Sequence, residues 1–438
     1  MRLYTVMCND SFLTETSKRR RKMKTSGKIF IGLTILAVLL ALVGCSKEPT
    51  TLNALFMKQA GYSEDDIKAG TAEFEKNNPG IKVALTFVAY EELEKKIITS
   101  AQAGSYDVVL SDAPFTAKFA QANIVKEAPA LSDADKKDIF EGAIQACVYK
   151  DKLYGMPWLN DCKYFFYNKK MLKDAGFDNP PKTWDELLAQ AKVLKEKKIV
   201  QYPIAWSWMQ AECLTCDYTI LSAAFGGAMF DKDGNPTLTA EGNKKALDFM
   251  VNSLKDGISN PKSIEFKEDD VLATFQNGDA AFALNWTYMY DSAKNPEKSK
   301  VVNDIGIALI PGTGSIKSAT VNGGQPLAIS AGSKQSEAAW KYIQYMASKD
   351  FQKKYPKNAL PVWKSLYEDK DVVAVNPDVV AIAKEQYNYL VNRPQVPYYS
   401  EFSTELQVKI QEALLGKKTG EAALTEVQAK AAELAKQK

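Results

Sequence analysis

Three stretches decide the fold class: Leu52-Asn-Ala-Leu-Phe-Met57, Asn78-Pro-Gly-Ile-Lys-Val-Ala-Leu-Thr-Phe-Val-Ala-Tyr90 and Tyr106-Asp-Val-Val-Leu-Ser-Asp112. In the second, Ile81, Val83, Leu85, Phe87 and Ala89 alternate with Lys82, Ala84, Thr86, Val88 and Tyr90. That period of two is the signature of a β-strand, and the other two stretches read as short buried strands. Helical spacing fills the gaps. Ser63–Lys76 carries Ile67, Thr71 and Phe74 on one face behind a Ser63/Asp66 capping box, and Asn78-Pro79-Gly80 stops it. Glu91–Ala101 is a second helix. Strand, helix, strand, helix, strand is an α/β pattern, in which ligands meet the loops beyond the strand C-termini. Asp112 stands at such an end, where it either caps the following helix or faces a ligand.

A second unit opens near Tyr164-Phe-Phe-Tyr167. Pro180-Pro-Lys-Thr-Trp-Asp-Glu186 supplies a stop, a Thr183/Glu186 capping box and a helix with Trp184, Leu187, Leu188, Ala191 and Leu194 on one face, which makes Trp184 core. Phe275–Leu284 reads as a helix end passing into a strand, and Ser336–Ala347 as a helix burying Trp340, Ile343 and Met346. Glu421–Lys438 is an alanine-rich helix that covers a surface. In Asp231-Lys-Asp-Gly-Asn-Pro236 the oxygens alternate, but the sixth residue is proline and the twelfth, Gly242, is not glutamate, so a polar turn is expected rather than a calcium loop.

Upstream, Lys28–Cys45 (KIFIGLTILAVLLALVGC) is a basic residue, an apolar run and Leu-Val-Gly-Cys. The run is short for a membrane span and is followed by the polar Ser46-Lys-Glu-Pro49, which reads as a signal peptide. Its end resembles the bacterial lipobox, implying cleavage before Cys45 and lipidation of that cysteine. Arg19-Arg-Arg-Lys22 and the residues around it precede Met23, the more natural start. Residues 1–44 hold eight of the 56 Lys/Arg and two of the 53 Asp/Glu, which leaves 48 basic against 51 acidic side chains, net −3, in the mature chain. The basic face that nucleic acids require is not there. The composition, 46% hydrophobic and 25% charged, is that of a soluble body long enough for two lobes.

Two absences restrict the chemistry. The chain has no histidine, which excludes Ser-His-Asp and Cys-His nucleophilic systems and His-ligated zinc. Past the signal there is one arginine, Arg393, so a multiply anionic ligand would find few bidentate partners. Cys147, Cys162, Cys213 and Cys216 allow three complete pairings, and structural thiols or disulfides are expected of them. No metal site and no cofactor is expected.

Several separated segments then resemble one family. They are Leu153-Tyr-Gly-Met-Pro-Trp158, Tyr164-Phe-Phe-Tyr-Asn-Lys169 with Pro180–Glu186, Phe275-x-x-Gly278-x-Ala-Ala281, Val321-Asn-Gly-Gly324, and Arg393-Pro-x-Val-Pro-Tyr-Tyr399. In order and spacing they are similar to the extracellular solute-binding proteins that deliver sugars to ABC importers, most of all the trehalose/maltose branch. The resemblance implies a type II periplasmic-binding-protein fold, two α/β lobes joined by crossovers near Phe165, Gln325–Ile329 and Trp363–Glu368. It divides the chain into a signal (1–44), a lipid-anchored linker (45–50), one lobe from 51–164 and 328–365, and another from 165–327 and 366–438.

It also implies a non-enzymatic mechanism, hinge closure on a neutral sugar by a monomer that hands it to the importer's permease. Ligand contacts are expected from Asp112, Trp158, Asp161, Trp286, Tyr288, Gly323, Gly324, Gln325 and Arg393. The chemistry agrees, because pyranoses offer apolar faces to aromatic rings and hydroxyl edges to carboxylates and guanidinium. Trp286, after a buried strand, is the main stacking candidate, with Trp206 and Trp208 either stacking or packing. Gln325 stands where the branch often has an aromatic residue, which suits a different ring orientation or a smaller sugar. A surface glycosidase working with two carboxylates and a sugar-sensing receptor subunit are the competing readings.

Overall fold

The computed structural model describes residues 49–58, 61–357 and 359–437; the signal peptide expected at 1–44 and the lipidation expected at Cys45 fall outside the described residues. Thr50–Met57 (β1) leads into helix Glu64–Asn77 (α1), strand Ile81–Val88 (β2), helix Tyr90–Ala103 (α2) and strand Val108–Leu110 (β3). At the start of α1 the Ser63 side chain accepts from Asp66 N–H while the Asp66 carboxylate accepts from Ser63 N–H, the reciprocal cap that its sequence spells. α2 ends at Gly104, whose φ of 63° suits a residue without Cβ. β1 pairs in parallel with β2 from Thr50–Ile81 to Met57–Val88, and with β3 on its other side.

Met156–Leu159 (β4) is followed closely by Tyr164–Asn168 (β5), helix Trp184–Glu196 (α3), Ile204–Ala205 (β6), helix Glu212–Ala224 (α4), helix Glu268–Gln276 (α5), Phe282–Asn285 (β7) and Ile305–Ala308 (β8). Thr320–Val321 (β9), Gln325–Ile329 (β10), helix Ser336–Met346 (α6), Leu390–Val391 (β11) and helices Tyr399–Leu414 (α7) and Gly420–Lys436 (α8) complete the frame used below. The two larger sheets run β2-β1-β3-β10-β4 and β8-β5-β7-β6, and β9 pairs in parallel with β11 in a sheet of two. β10 is antiparallel to both of its neighbours, so a strand late in the chain closes the first sheet.

The chain therefore passes from the first sheet to the second at residues 160–163 and returns to the first over residues 309–324. The two passages are tied side by side: Gly323 N–H donates to Asp161 C=O at 2.9 Å and Cys162 bridges Asn322. Residues 359–372 alternate between two cores, with Trp363, Leu366 and Val372 in one and Leu360 and Tyr367 in the other. Phe165 lies inside β5, paired with Leu284 and Ala308.

Two aromatic expectations are corrected by packing. Trp158, expected at the ligand, is fully buried under the first sheet against Phe56 and Tyr62, with its indole N–H donated to Met346 C=O at 3.1 Å. All four β4 residues are buried, so the strand has no solvent face to offer. Burial of so large a side chain is worth about 3 kcal/mol, which makes Trp158 a stability residue. Trp340 is half-exposed, because α6 turns Ala339, Tyr342, Ile343 and Met346 inward and Trp340 sits one residue off that stripe.

Candidate functional site

Asp112 follows β3 and does both things its position allows. Its carboxylate accepts from Ala113 N–H at 2.8 Å, capping the next turn, and also takes the Tyr90 hydroxyl at 2.8 Å and Arg393 Nη2 at 2.9 Å. Arg393, two residues past β11, donates Nη1 to Glu212 Oε1 at 2.9 Å on the first turn of α4. The Tyr399 hydroxyl and Ser403 Oγ also donate to Glu212. Arg393 is 4% exposed and Asp112 2%, while Glu212 is partly exposed, so in this triad a buried cation holds one buried and one partly buried carboxylate. Asp112 hangs from the first sheet, whereas α4 packs with the second unit's helices; the triad spans the two. Burial lifts the Glu212 pKa above its ordinary value against the pull of Arg393 and of the two hydroxyls.

A second cluster forms where the passages meet. The Asp161 carboxylate accepts from Cys162 N–H at 2.8 Å and from the Thr287 hydroxyl, next to Trp286. Burial pushes the Asp161 pKa up to about 7, with the Thr287 and Cys162 hydrogen bonds opposing. The Trp286 indole lies against Gly323, where a Cβ would fall 2.5 Å from a ring carbon. Its N–H donates to Glu268 Oε1 at 3.2 Å, and the ring is half-buried. Tyr288, two residues on, donates to Asp269 at 3.0 Å; burial raises its pKa, as do the charges of Asp269 and Glu268.

Gly324 joins the clusters, since its carbonyl accepts from Ala113 N–H at 3.1 Å beside Asp112. A Cβ on it would stand 3.0 Å from both Ala146 Cβ and Asn322 Oδ1. Gln325 opens β10 opposite Leu159, and its buried Oε1, like the buried Nε of Arg393, has no protein partner among the described residues. Of the residues expected at the ligand, the structure thus gathers Asp112, Gly324 and Arg393 in one group and Asp161, Trp286 and Gly323 in the other, with Gln325 next to the link and Tyr288 at the edge.

Trp206 and Trp208 stack on each other at 4.9 Å, fully buried, and are packing residues. The four cysteines are free and buried. Asp231 accepts from the N–H groups of Asp233 and Asn235, a polar turn. Two surface hollows, one beside Trp340 and Trp363 and the other beside Tyr367 and Pro377, lie apart from the clusters.

Sequence reasoning assigned no site role to Tyr90, Lys163, Glu212, Asp217 or Glu268. Glu212 and Asp217 flank Cys213-Leu-Thr-Cys216, where the cysteines drew the reading. Spacing alone gave no sign that Lys163 is buried.

Residues 59–353 match the family described as bacterial extracellular solute-binding protein. A probable ABC transporter-binding protein of Deinococcus radiodurans is 27% identical over 357 residues, 78% of this chain and 83% of its own length. Among solved structures, maltose-bound T. maritima MalE3 superposes with a TM-score of 0.80 at 25% identity, covering 88% of this chain and 100% of its own. An ABC transporter solute-binding protein of Thermotoga lettingae with bound alpha-D-tagatose gives 0.77 at 27%, over 87% and 98%. The chain belongs to the bacterial extracellular solute-binding protein family.

Proposed function

We propose that the protein captures a neutral mono-, di- or oligosaccharide between two lobes, 51–164 with 328–365 and 165–327 with 366–438, and presents the closed form to an ABC importer's permease. The observation that carries this reading is that the Gly323-Gly324 pair joins an aromatic face, Trp286 after the second sheet's β7, to a carboxylate, Asp112 after the first sheet's β3, that holds the Arg393 guanidinium. The maltose and tagatose held by the two structural neighbours support the sugar class. Trp286 offers its face because its N–H is engaged by Glu268; Asp161 and Arg393 Nε supply an acceptor and a donor for hydroxyls. Closure brings Asp112 to Arg393, and a sugar that touches both sides binds the closed state better and so shifts the equilibrium toward it.

A carboxylate-pair glycosidase is disfavoured by the same geometry. Asp112 and Glu212 are both bound to Arg393 and are not free to act as acid and base. We further infer export, cleavage before Cys45 and lipid attachment there, supported by Leu42-Val-Gly-Cys45; intact-mass measurement on membrane-extracted protein should show an acylated cysteine and no residues 1–44.

A thermal-shift panel tests the reading, since a ligand that binds only the folded protein raises Tm. Neutral sugars and polyols should stabilise the protein, while sugar phosphates and dicarboxylates should not. Stabilisation by sugar phosphates alone would overturn it.

A further inference from the structure

Lys163 is fully buried, and the ligand contacts proposed above do not use its charge. Its Nζ lies 2.7 Å from Asp217 Oδ1, 2.8 Å from Ser207 Oγ and 3.4 Å from Glu268 Oε1, and 5.4 Å from the centroid of the Trp286 ring. Glu268 Oε1 is the same atom that accepts the Trp286 indole N–H. Trp286 is thus held twice, at its N–H by Glu268 and at its face by the ammonium that also holds Glu268. The Lys163 carbonyl accepts from Thr320 Oγ1 at 2.6 Å, so the residue is pinned between the passage that contains Asp161 and the strand that leads to Gly323.

Burial works against the ammonium, but the charges of Asp217 and Glu268 outweigh it and keep Lys163 protonated. Burial also raises the Asp217 pKa, and the Lys163 charge draws it back. Placing such a pair in the interior is costly, and an apolar pair of similar volume often packs as well, so the charge calls for a use beyond stability. An ammonium over an indole face supplies one, because it is attracted to the ring quadrupole and fixes the ring plane.

We propose that Lys163 is a positioning residue for the ligand site: through Glu268 and its contact with the Trp286 ring it sets the indole plane before a sugar arrives. This rests on the reading of Trp286 as the stacking surface, but its structural half does not need the sugar.

The test is a double-mutant cycle of Lys163→Met with Trp286 substitutions. In the ligand-free protein, the near-UV circular dichroism that disappears on Trp286→Phe should be large with Lys163 present and largely lost in Lys163→Met. An undiminished Trp286 signal in Lys163→Met overturns the proposal. The affinity arm uses whichever of maltose, trehalose, D-tagatose and D-mannitol stabilises the protein most. Lys163→Met should weaken it about ten-fold when Trp286 is present and less than about two-fold in Trp286→Ala. Equal losses in both backgrounds overturn the proposal, whereas unchanged affinity in Trp286→Ala itself removes the stacking reading and leaves the spectroscopic arm to decide the positioning role. If Lys163→Met does not fold, Glu268→Gln, at a partly exposed side chain, takes its place with the same expected pattern.

Discussion

Asp112 and Arg393 meet at 2.9 Å, both almost wholly buried, although 281 residues separate them and one stands at a strand end of the first sheet while the other follows β11, which pairs with β9. In the proposed mechanism the pair acts as a latch: the desolvation that opposes its formation keeps closure near balance, so that a neutral ligand can tip it.

Asp112→Asn removes the charge from the latch and keeps its shape. Charge-assisted hydrogen bonds are worth about 1.5–3 kcal/mol, so sugar affinity should fall by roughly ten-fold or more. Small-angle scattering should show a larger ligand-free radius of gyration than in the wild type. An unchanged radius and affinity would mean that the pair plays no part in closure.

Asp161 gives a pH dependence with a definite sign. Its pKa in the folded protein is about 7 against an ordinary 3.8, so between those values the folded state holds a proton that the unfolded state has lost. Its contribution is full below about pH 4 and is lost as pH rises through 7. Asp161→Asn cannot lose it. The stability of the variant relative to wild type, followed by its Tm, should climb across that window and then level off, a rise of up to about 4 kcal/mol in unfolding free energy at 1.36 kcal/mol per unit. A difference flat with pH would show that Asp161 is not held in this environment.

Gly323→Ala would place a methyl group 2.5 Å from the Trp286 ring. The indole must move, which costs about 1–3 kcal/mol in a packed setting. A lower Tm with altered Trp fluorescence and weaker sugar binding is expected. Wild-type values of all three would remove the close contact from the account.

Cys147, Cys162, Cys213 and Cys216 are buried, and burial raises every one of their pKa values. Thiolates are the reactive form, so these four should be silent to a thiol reagent in the folded protein and titrate fully in denaturant. Rapid labelling of the native protein would contradict the packing.

Elements with a local cause were legible in the sequence. Ser63/Asp66 spells a cap, and Ile81–Val88 alternates because one side of the strand is more buried than the other. Trp158 misled because β4 is buried on both faces, which erases the alternation that would have told core from cleft. At the site, Asp112, Asp161, Trp286 and Arg393 could be named one by one, yet their partners could not. Glu212, Asp217 and Glu268 lie far along the chain from Arg393, Lys163 and Trp286, or are bound to them only through tertiary packing, and no spacing rule reports a contact made at that distance.

The central claim is that a neutral sugar stacks on Trp286 between the two units. Calorimetric titration of the panel's best neutral sugar into wild type and Trp286→Ala in parallel tests it most directly. Loss of the aromatic face should weaken binding by roughly ten-fold or more, about 1.4 kcal/mol, measured at a temperature where both proteins are folded. Equal affinity in the two proteins would place the ligand elsewhere and contradict the claim.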